Sequence, residues 1–290
     1  ILIFPILFFY IFSDSFQRLK SKKKSFITIG GSFDTLLGSR TEDWGYIQTQ
    51  EDRDDISFYT SVYEENKNAQ FNSHYLFKIP KTVHMIWLGP SPFPTDSVNN
   101  VRSWVAHHPD WTFVFWTDRK RPPPCKEMEV KYVDDFDFHF LEKHFFSSKN
   151  WREKSDLLRY EILYKEGGLY IDHNTICVRP FHGLHKGYDF YACLETPHEE
   201  IDMLTLTAGN AIIGSKPMHP VIRGAIQSVL DRWEGETNKF LTLEPLVQAR
   251  LAAHRTYIPL TLSIKKHINS IGNTDIIFPA AYFYPKHNLP

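Results

Sequence analysis

From Ile79 onward the chain alternates two textures, short apolar bursts and longer stretches in which apolar residues recur at helical spacing. The bursts predict strands at Val83–Leu88 (VHMIWL), Thr112–Trp116 (TFVFW), Leu169–Asp172, Phe190–Leu194, Ala211–Gly214 and Asp275–Phe278. The longer stretches predict helices at Ser97–His107, Trp151–Lys165, Pro220–Trp233 and Glu244–His254. Pro109 stops the first of these. Asn150 and Glu153 stand at N-cap and N3 spacing for the second, a capping-box signature, and Gly167-Gly168 ends it. Strands separated by helices of this length point to an α/β fold, because parallel strands need a crossover to return.

The first part of the chain reads differently. Ile1 to Phe12 (ILIFPILFFYIF) is unbroken apolar, shorter than the roughly 18 residues of a spanning helix, and Arg18, Lys20, Lys22, Lys23 and Lys24 follow it. Residues 1–24 therefore read either as the tail of a membrane anchor with a basic cytoplasmic flank or as a signal remnant. The first residue is Ile rather than Met, and no N-x-S/T sequon speaks to compartment, so membrane-associated and cytoplasmic locations both stay open. Residues 25–77 carry no strong period and are expected to form a stem or irregular lead-in. Residues 78–290 are then the main folded domain.

Composition narrows the classes. At 290 residues and 42% apolar content the chain can bury a sizeable core. A net charge of -1 leaves no footprint for a non-specific nucleic-acid binder. Cys125, Cys177 and Cys193 form neither a disulfide framework nor a CxxC pair, and are expected as reduced, partly buried thiols. Fourteen histidines show no zinc-ligand spacing, and no G-x-S-x-G, P-loop or G-x-G-x-x-G is present. Twenty-three Phe, 14 Tyr and 7 Trp serve either as core or as stacking platforms.

Candidate chemistry concentrates in Asn150 to Pro180 (NWREKSDLLRYEILYKEGGLYIDHNTICVRP). Asp156 and Arg159 lie at i, i+3 on one helix face, and a strand after the Gly-Gly reversal delivers Asp172 and Asn174. Two residues apart on an extended strand, those side chains point the same way, and hard oxygens at a strand end suit a divalent metal carrying a diphosphate. Each part also has a plainer reading. Asp156 and Arg159 would make a surface ion pair worth ~0.2–0.5 kcal/mol, and Asp172-His173-Asn174 a polar turn.

This segment, with IPKTVHMIWLGP at Ile79 to Pro90, NVRSWVAHHPDWTFVFWTD at Asn100 to Asp118 and GNAIIGSKPMHP at Gly209 to Pro220, resembles the DxD-containing sugar-binding region of glycosyltransferase family 32. That family includes α-mannosyltransferases, and clostridial glucosylating toxins share its core pattern more distantly. The resemblance runs from Lys78 to Pro285, with the motifs in order. It implies a GT-A-like, Rossmann-type sandwich with a mixed, mostly parallel sheet, and a catalytic domain over residues 78–290. The implied activity is that of a retaining glycosyltransferase that moves a hexose from a UDP- or GDP-sugar to a hydroxyl acceptor on a glycan, lipid or protein. The other reading is a nucleotide-sugar or glycan binding protein with weakened or lost catalysis.

The same resemblance implies roles by position. Trp87 matches the region of an aromatic that stacks on the base. Ser155 and Tyr170 line the nucleotide, Asp156 and Arg159 hold sugar hydroxyls and the phosphate side, and Asn210 faces the sugar. Asp172 matches the first Asp of the DxD, and Asn174 the second, which ligates Mn²⁺ or Mg²⁺. Glu195, at a strand end, either stabilises the cationic transition state or meets the acceptor. Asn174 departs from the family, since Asn keeps an oxygen ligand but removes a charge, so weaker metal binding is expected. A further ligand comes in relatives from beyond the segment matching Ala281 to Pro285; here His287 or Asn288 follow.

Overall fold

A computed structural model describes residues 31–69, 76–198, 204–239 and 251–284. The apolar run, the basic cluster, His287, Asn288 and most of the helix expected at Glu244–His254 lie outside these residues. In chain order the elements are α1 (Phe33–Leu37), α2 (Gln50–Asn66), β1 (Thr82–Trp87), α3 (Val98–His107), β2 (Thr112–Thr117), β3 (Met128–Tyr132), α4 (Glu142–Ser147), α5 (Trp151–Lys165), β4 (Gly168–Ile171), α6 (His182–Gly187), β5 (Phe190–Leu194), β6 (Ala208–Ser215), α7 (Pro220–Lys239), α8 (Ile258–His267) and β7 (Asp275–Phe278). A π-helical turn, Ala253–Tyr257, leads into α8.

Among the described residues the strands form one seven-stranded sheet in the order β3-β2-β1-β4-β6-β5-β7. Only β6 runs against its neighbours; β1, β2, β3 and β4 are parallel, as are β5 and β7. The interior strands are near-continuous apolar runs because both faces of the sheet are covered. All four residues of β4 and all five of β5 are buried. The order reverses at β1. The chain builds outward through β2 and β3, then returns to place β4 on the other side of β1, and such a switch point opens a crevice at the carboxyl ends of the strands.

The Gly-Gly reversal feeds β4 into that slot. Gly168 has φ +101, and a Cβ there would stand 2.6 Å from the Thr82 carbonyl oxygen of β1, so only glycine lets the two backbones approach.

Several expectations change in detail. β6 begins at Ala208 rather than Ala211, so Asn210 lies within the strand and not before it. β4 ends at Ile171, and residues 173 and 174 form a turn, so Asp172 and Asn174 do not alternate along one extended strand. The capping box at α5 is half made: the Asn150 side chain accepts from the Arg152 amide at 3.0 Å, but Glu153 turns away to pair with Arg255 at 3.1 Å. A buried ion pair outcompetes the reciprocal cap.

The β3 strand was not anticipated, because MEVKY is an edge strand with half its side chains wet. Part of the expected lead-in, residues 31–69, carries two helices joined to the domain. Phe33, Leu37, Tyr59, Val62 and Tyr63 enter the core. The Tyr63 and Tyr282 hydroxyls meet at 2.7 Å, and the Asn66 side chain donates to the Asp275 carbonyl at 2.8 Å.

Candidate active site

The carboxyl ends of β1, β4 and β5 and the amino end of antiparallel β6 lie along one edge of the sheet, since Ile171 pairs with Ile212 and Leu194 with Ala208. Trp87, Asp172, Glu195 and Asn210 are delivered to that edge. α5 passes over β1, β4 and β6 and adds Asp156 and Arg159.

α5 is buried nearly all round from Leu157 to Leu163, so its charged residues need partners inside the protein. The surface ion-pair reading of Asp156 and Arg159 therefore falls away. Arg159, 3% exposed, reaches Asp156 Oδ1 at 3.0 Å, Asp172 Oδ1 at 3.2 Å and the Tyr170 hydroxyl at 2.9 Å through one terminal nitrogen. Its other terminal nitrogen donates to the Asn210 carbonyl. The guanidinium also lies 3.9 Å above the centre of the Tyr170 ring. Tyr170 in turn donates to Asp172 Oδ1 at 2.7 Å. Burial alone would depress the guanidinium's pKa, but Tyr170 and the two carboxylates more than reverse this and hold it charged.

Asp156 also accepts from the Asn210 side chain at 3.2 Å and from the Thr256 hydroxyl at 2.7 Å. Burial raises its pKa, against the pull of Arg159 and Thr256. The result is a hydrogen-bonded constellation of Asp156, Arg159, Tyr170, Asp172 and Asn210 drawn from three elements and the turn after β4. Asp172 remains 31% exposed, and the bonds from Arg159 and Tyr170 both fall on its Oδ1, which leaves Oδ2 as the oxygen for an incoming group.

The turn after Asp172 is pinned from α3 and the turn before it. His173 Nδ1 lies 2.8 Å from the Ser97 hydroxyl, and Asn100 donates to the His173 carbonyl at 3.2 Å. The Trp87 ring, half-buried, meets His173 edge to face with centroids 5.0 Å apart and Phe93 at 5.4 Å. Its indole N–H goes to the Ser91 carbonyl at 3.0 Å. Ser155 hydrogen-bonds back to the Trp151 carbonyl at 2.9 Å. Glu195 is half-buried at the end of β5. Burial raises its pKa, the Tyr257 hydroxyl and His198 oppose the shift, and Asp172 reinforces it.

Asn174 is exposed in the turn. Among the described residues no group of three or more His, Cys, Asp or Glu side chains is gathered to hold a metal. Asp172 and Asn174 nonetheless offer two hard oxygens of the type Mg²⁺ or Mn²⁺ accepts, and a diphosphate is the usual source of the remainder. The three cysteines are free and buried.

Sequence reasoning missed Thr256, Tyr257 and Tyr284 as neighbours of this site. Thr256 and Tyr257 sit on the π-helical turn beyond the expected end of a helix, where no local pattern marks them. Tyr284 belongs to the AYFYP segment, whose aromatic run reads as core.

Comparison with known proteins agrees with this placement. Residues 94–191 match the family described as a glycosyltransferase sugar-binding region containing a DXD motif. Inositol phosphoceramide mannosyltransferase 3 of Schizosaccharomyces pombe is 32% identical over 112 residues, 39% of this chain and 29% of that protein. Subversion of eukaryotic traffic protein A of Legionella pneumophila is 30% identical over 122 residues, 36% of this chain and 18% of that protein. The chain thus spans less than a third of the length of either relative. Among solved structures, the PaToxG glycosyltransferase shares the fold, with a TM-score of 0.51 at 15% identity over 74% of this chain and 78% of that one. The mixed, mostly parallel sheet is the GT-A-type architecture.

Proposed function

We propose, from the match of residues 94–191 to the family described as a glycosyltransferase sugar-binding region containing a DXD motif, that this chain is a retaining glycosyltransferase moving a hexose from a nucleotide-diphosphate sugar to a hydroxyl acceptor. One observation carries the reading. Asp156, Arg159, Asp172 and Asn210 converge as a single bonded cluster at the strand ends, inside and beside the matched segment.

The transfer breaks the bond between the anomeric carbon and the diphosphate oxygen and forms one to the acceptor oxygen on the same face. The acceptor's proton leaves with the departing diphosphate. Little covalent chemistry is asked of the protein, so its contribution is positioning and charge placed before the reaction begins. Asp156 and the Asn210 amide, braced against each other and against Thr256, offer paired polar atoms to sugar hydroxyls. Arg159 is buried beneath them and orients both carboxylates, and its fixed positive charge favours the anionic leaving group. Trp87 is the platform for the base, its ring held by Phe93 and His173. Glu195 faces the developing positive charge from the β5 end. A divalent metal, held by Asp172 and Asn174 together with the diphosphate, would supply the remaining charge neutralisation.

Titration with UDP and GDP, with and without Mn²⁺, followed by assays with UDP-glucose, UDP-GlcNAc, UDP-galactose and GDP-mannose, tests the reading. Asp172→Ala is expected to lower donor turnover by at least about 100-fold, the scale for removing one prepositioned charged group. Asn174→Asp is expected to tighten Mn²⁺ binding. Turnover by Asp172→Ala at the wild-type rate would overturn the site. Nucleotide binding without turnover across the donor panel, with activity appearing only in Asn174→Asp, would favour the binding-protein reading.

A further inference from the structure

Next to the Asp172 cluster lies a second polar group, made of Tyr257, Tyr284 and Glu195. The hydroxyls of Tyr257 and Tyr284 are buried and, among the described residues, neither has a well-aligned hydrogen-bond partner, although Tyr257 faces Glu195 and Thr207 and Tyr284 faces the Ile212 backbone. A buried hydroxyl whose contacts are poorly aligned keeps hydrogen-bonding capacity to spare, and phenylalanine would fill either position without it.

Both side chains are held at the site by their surroundings. Tyr257 follows Thr256, which is bonded to Asp156. Tyr284 lies against Gly209 of β6, where a Cβ would stand 2.5 Å from the Tyr284 ring and hydroxyl, so that glycine makes room for it beside Asn210. Charge on Glu195 bears on both hydroxyls, and charge on Asp172 bears on that of Tyr284. Both phenols thus lie within electrostatic reach of Glu195, and Tyr284 also within reach of Asp172.

We propose that Tyr257 and Tyr284 are positioning residues for carbohydrate, their hydroxyls engaging hydroxyls of the transferred hexose beside Glu195. A phenol both donates and accepts, which matches a sugar hydroxyl, and its ring packs on the apolar C–H faces of a hexose. This rests on the nucleotide-sugar reading of the site and adds to it a specificity wall from the C-terminal part of the chain.

The test is Tyr257→Phe and Tyr284→Phe, each titrated with UDP, UDP-glucose, GDP and GDP-mannose and assayed for donor hydrolysis and transfer. Both variants should melt close to wild type, since no well-aligned hydrogen bond is lost. Affinity for the bare nucleotide should be unchanged. The extra affinity conferred by the sugar should fall about 3- to 10-fold per hydroxyl, the scale of one neutral hydrogen bond. A variant that melts lower and keeps the full sugar increment overturns the proposal, because the hydroxyl is then structural. A change confined to acceptor KM, with donor hydrolysis and sugar increment intact, overturns the assignment to the donor hexose in favour of the acceptor. Failure of wild type to bind any nucleotide overturns the glycosyltransferase reading itself, whereas nucleotide binding with an unaltered sugar increment overturns only the tyrosine assignment.

Discussion

Glu195 ends a buried strand, and desolvation holds its proton to higher pH than an ordinary carboxyl, with Tyr257 and His198 opposing and Asp172 adding to the shift. The unperturbed value is about 4.3. A folded-state pKa above that contributes stability below about pH 4.3, and this is lost as pH rises through the raised value. A carboxylate that acts on developing positive charge must be ionised, so activity should rise with pH through that same raised value. Glu195→Gln is expected to abolish this acid limb and lower the plateau, while being no less stable than wild type at neutral pH. A pH profile of donor turnover beside a urea melt checks both halves. An unchanged acid limb would remove Glu195 from the chemistry.

At the scale of elements, α5 is the organising unit. It carries three buried charged groups, each answered by a different neighbour: Glu153 by Arg255, Arg159 by Asp156 and Asp172, and Glu161 by the amides of His139, Phe140 and Leu141 at 2.6–2.9 Å. The first and third tie the π-helical turn and the loop before α4 to this helix, and the second holds the site. The helix is then reversed into β4 by two glycines, and here a single atom decides. Gly168→Ala would add a Cβ 2.6 Å from the Thr82 oxygen at positive φ and is expected to cost about 1–3 kcal/mol or more. Gly235→Ala, in the exposed interior of α7 with open space around it, is expected to stabilise by about 0.5–1 kcal/mol. Urea midpoints moving in opposite directions would confirm that geometry, not glycine content, sets the cost.

Over the whole molecule, the segment before β1 is part of the core. Phe33, Leu37, Tyr59, Val62 and Tyr63 are all buried, and burying each large apolar side chain is worth about 1.5–3 kcal/mol. Five of them rival the about 5–15 kcal/mol by which a domain is stable. A protein lacking residues 1–69 is therefore expected to lose cooperative unfolding, as followed by circular dichroism. An unchanged midpoint would show these helices to be dispensable. Within the site the buried positive charge is answered locally, with Arg159 placed between Asp156 and Asp172.

The sequence by itself determined the α/β class, most strand positions and the limits of α5, because apolar period and glycine punctuation are local, and its collinear motifs picked out Asp156, Arg159, Asp172 and Asn210 as candidates that the tertiary structure then bonds together. It did not reach β3 and α2, whose amphipathic signal is weak, nor Thr256, Tyr257 and Tyr284. Those residues gain meaning only when β5, β6 and the C-terminal segment are brought to the same edge as β4. Nor could spacing tell a solvated i, i+3 pair from a buried one. That was decided by α5 passing over β1, β4 and β6, which removes water from Arg159 and leaves the two carboxylates as its counter-charges.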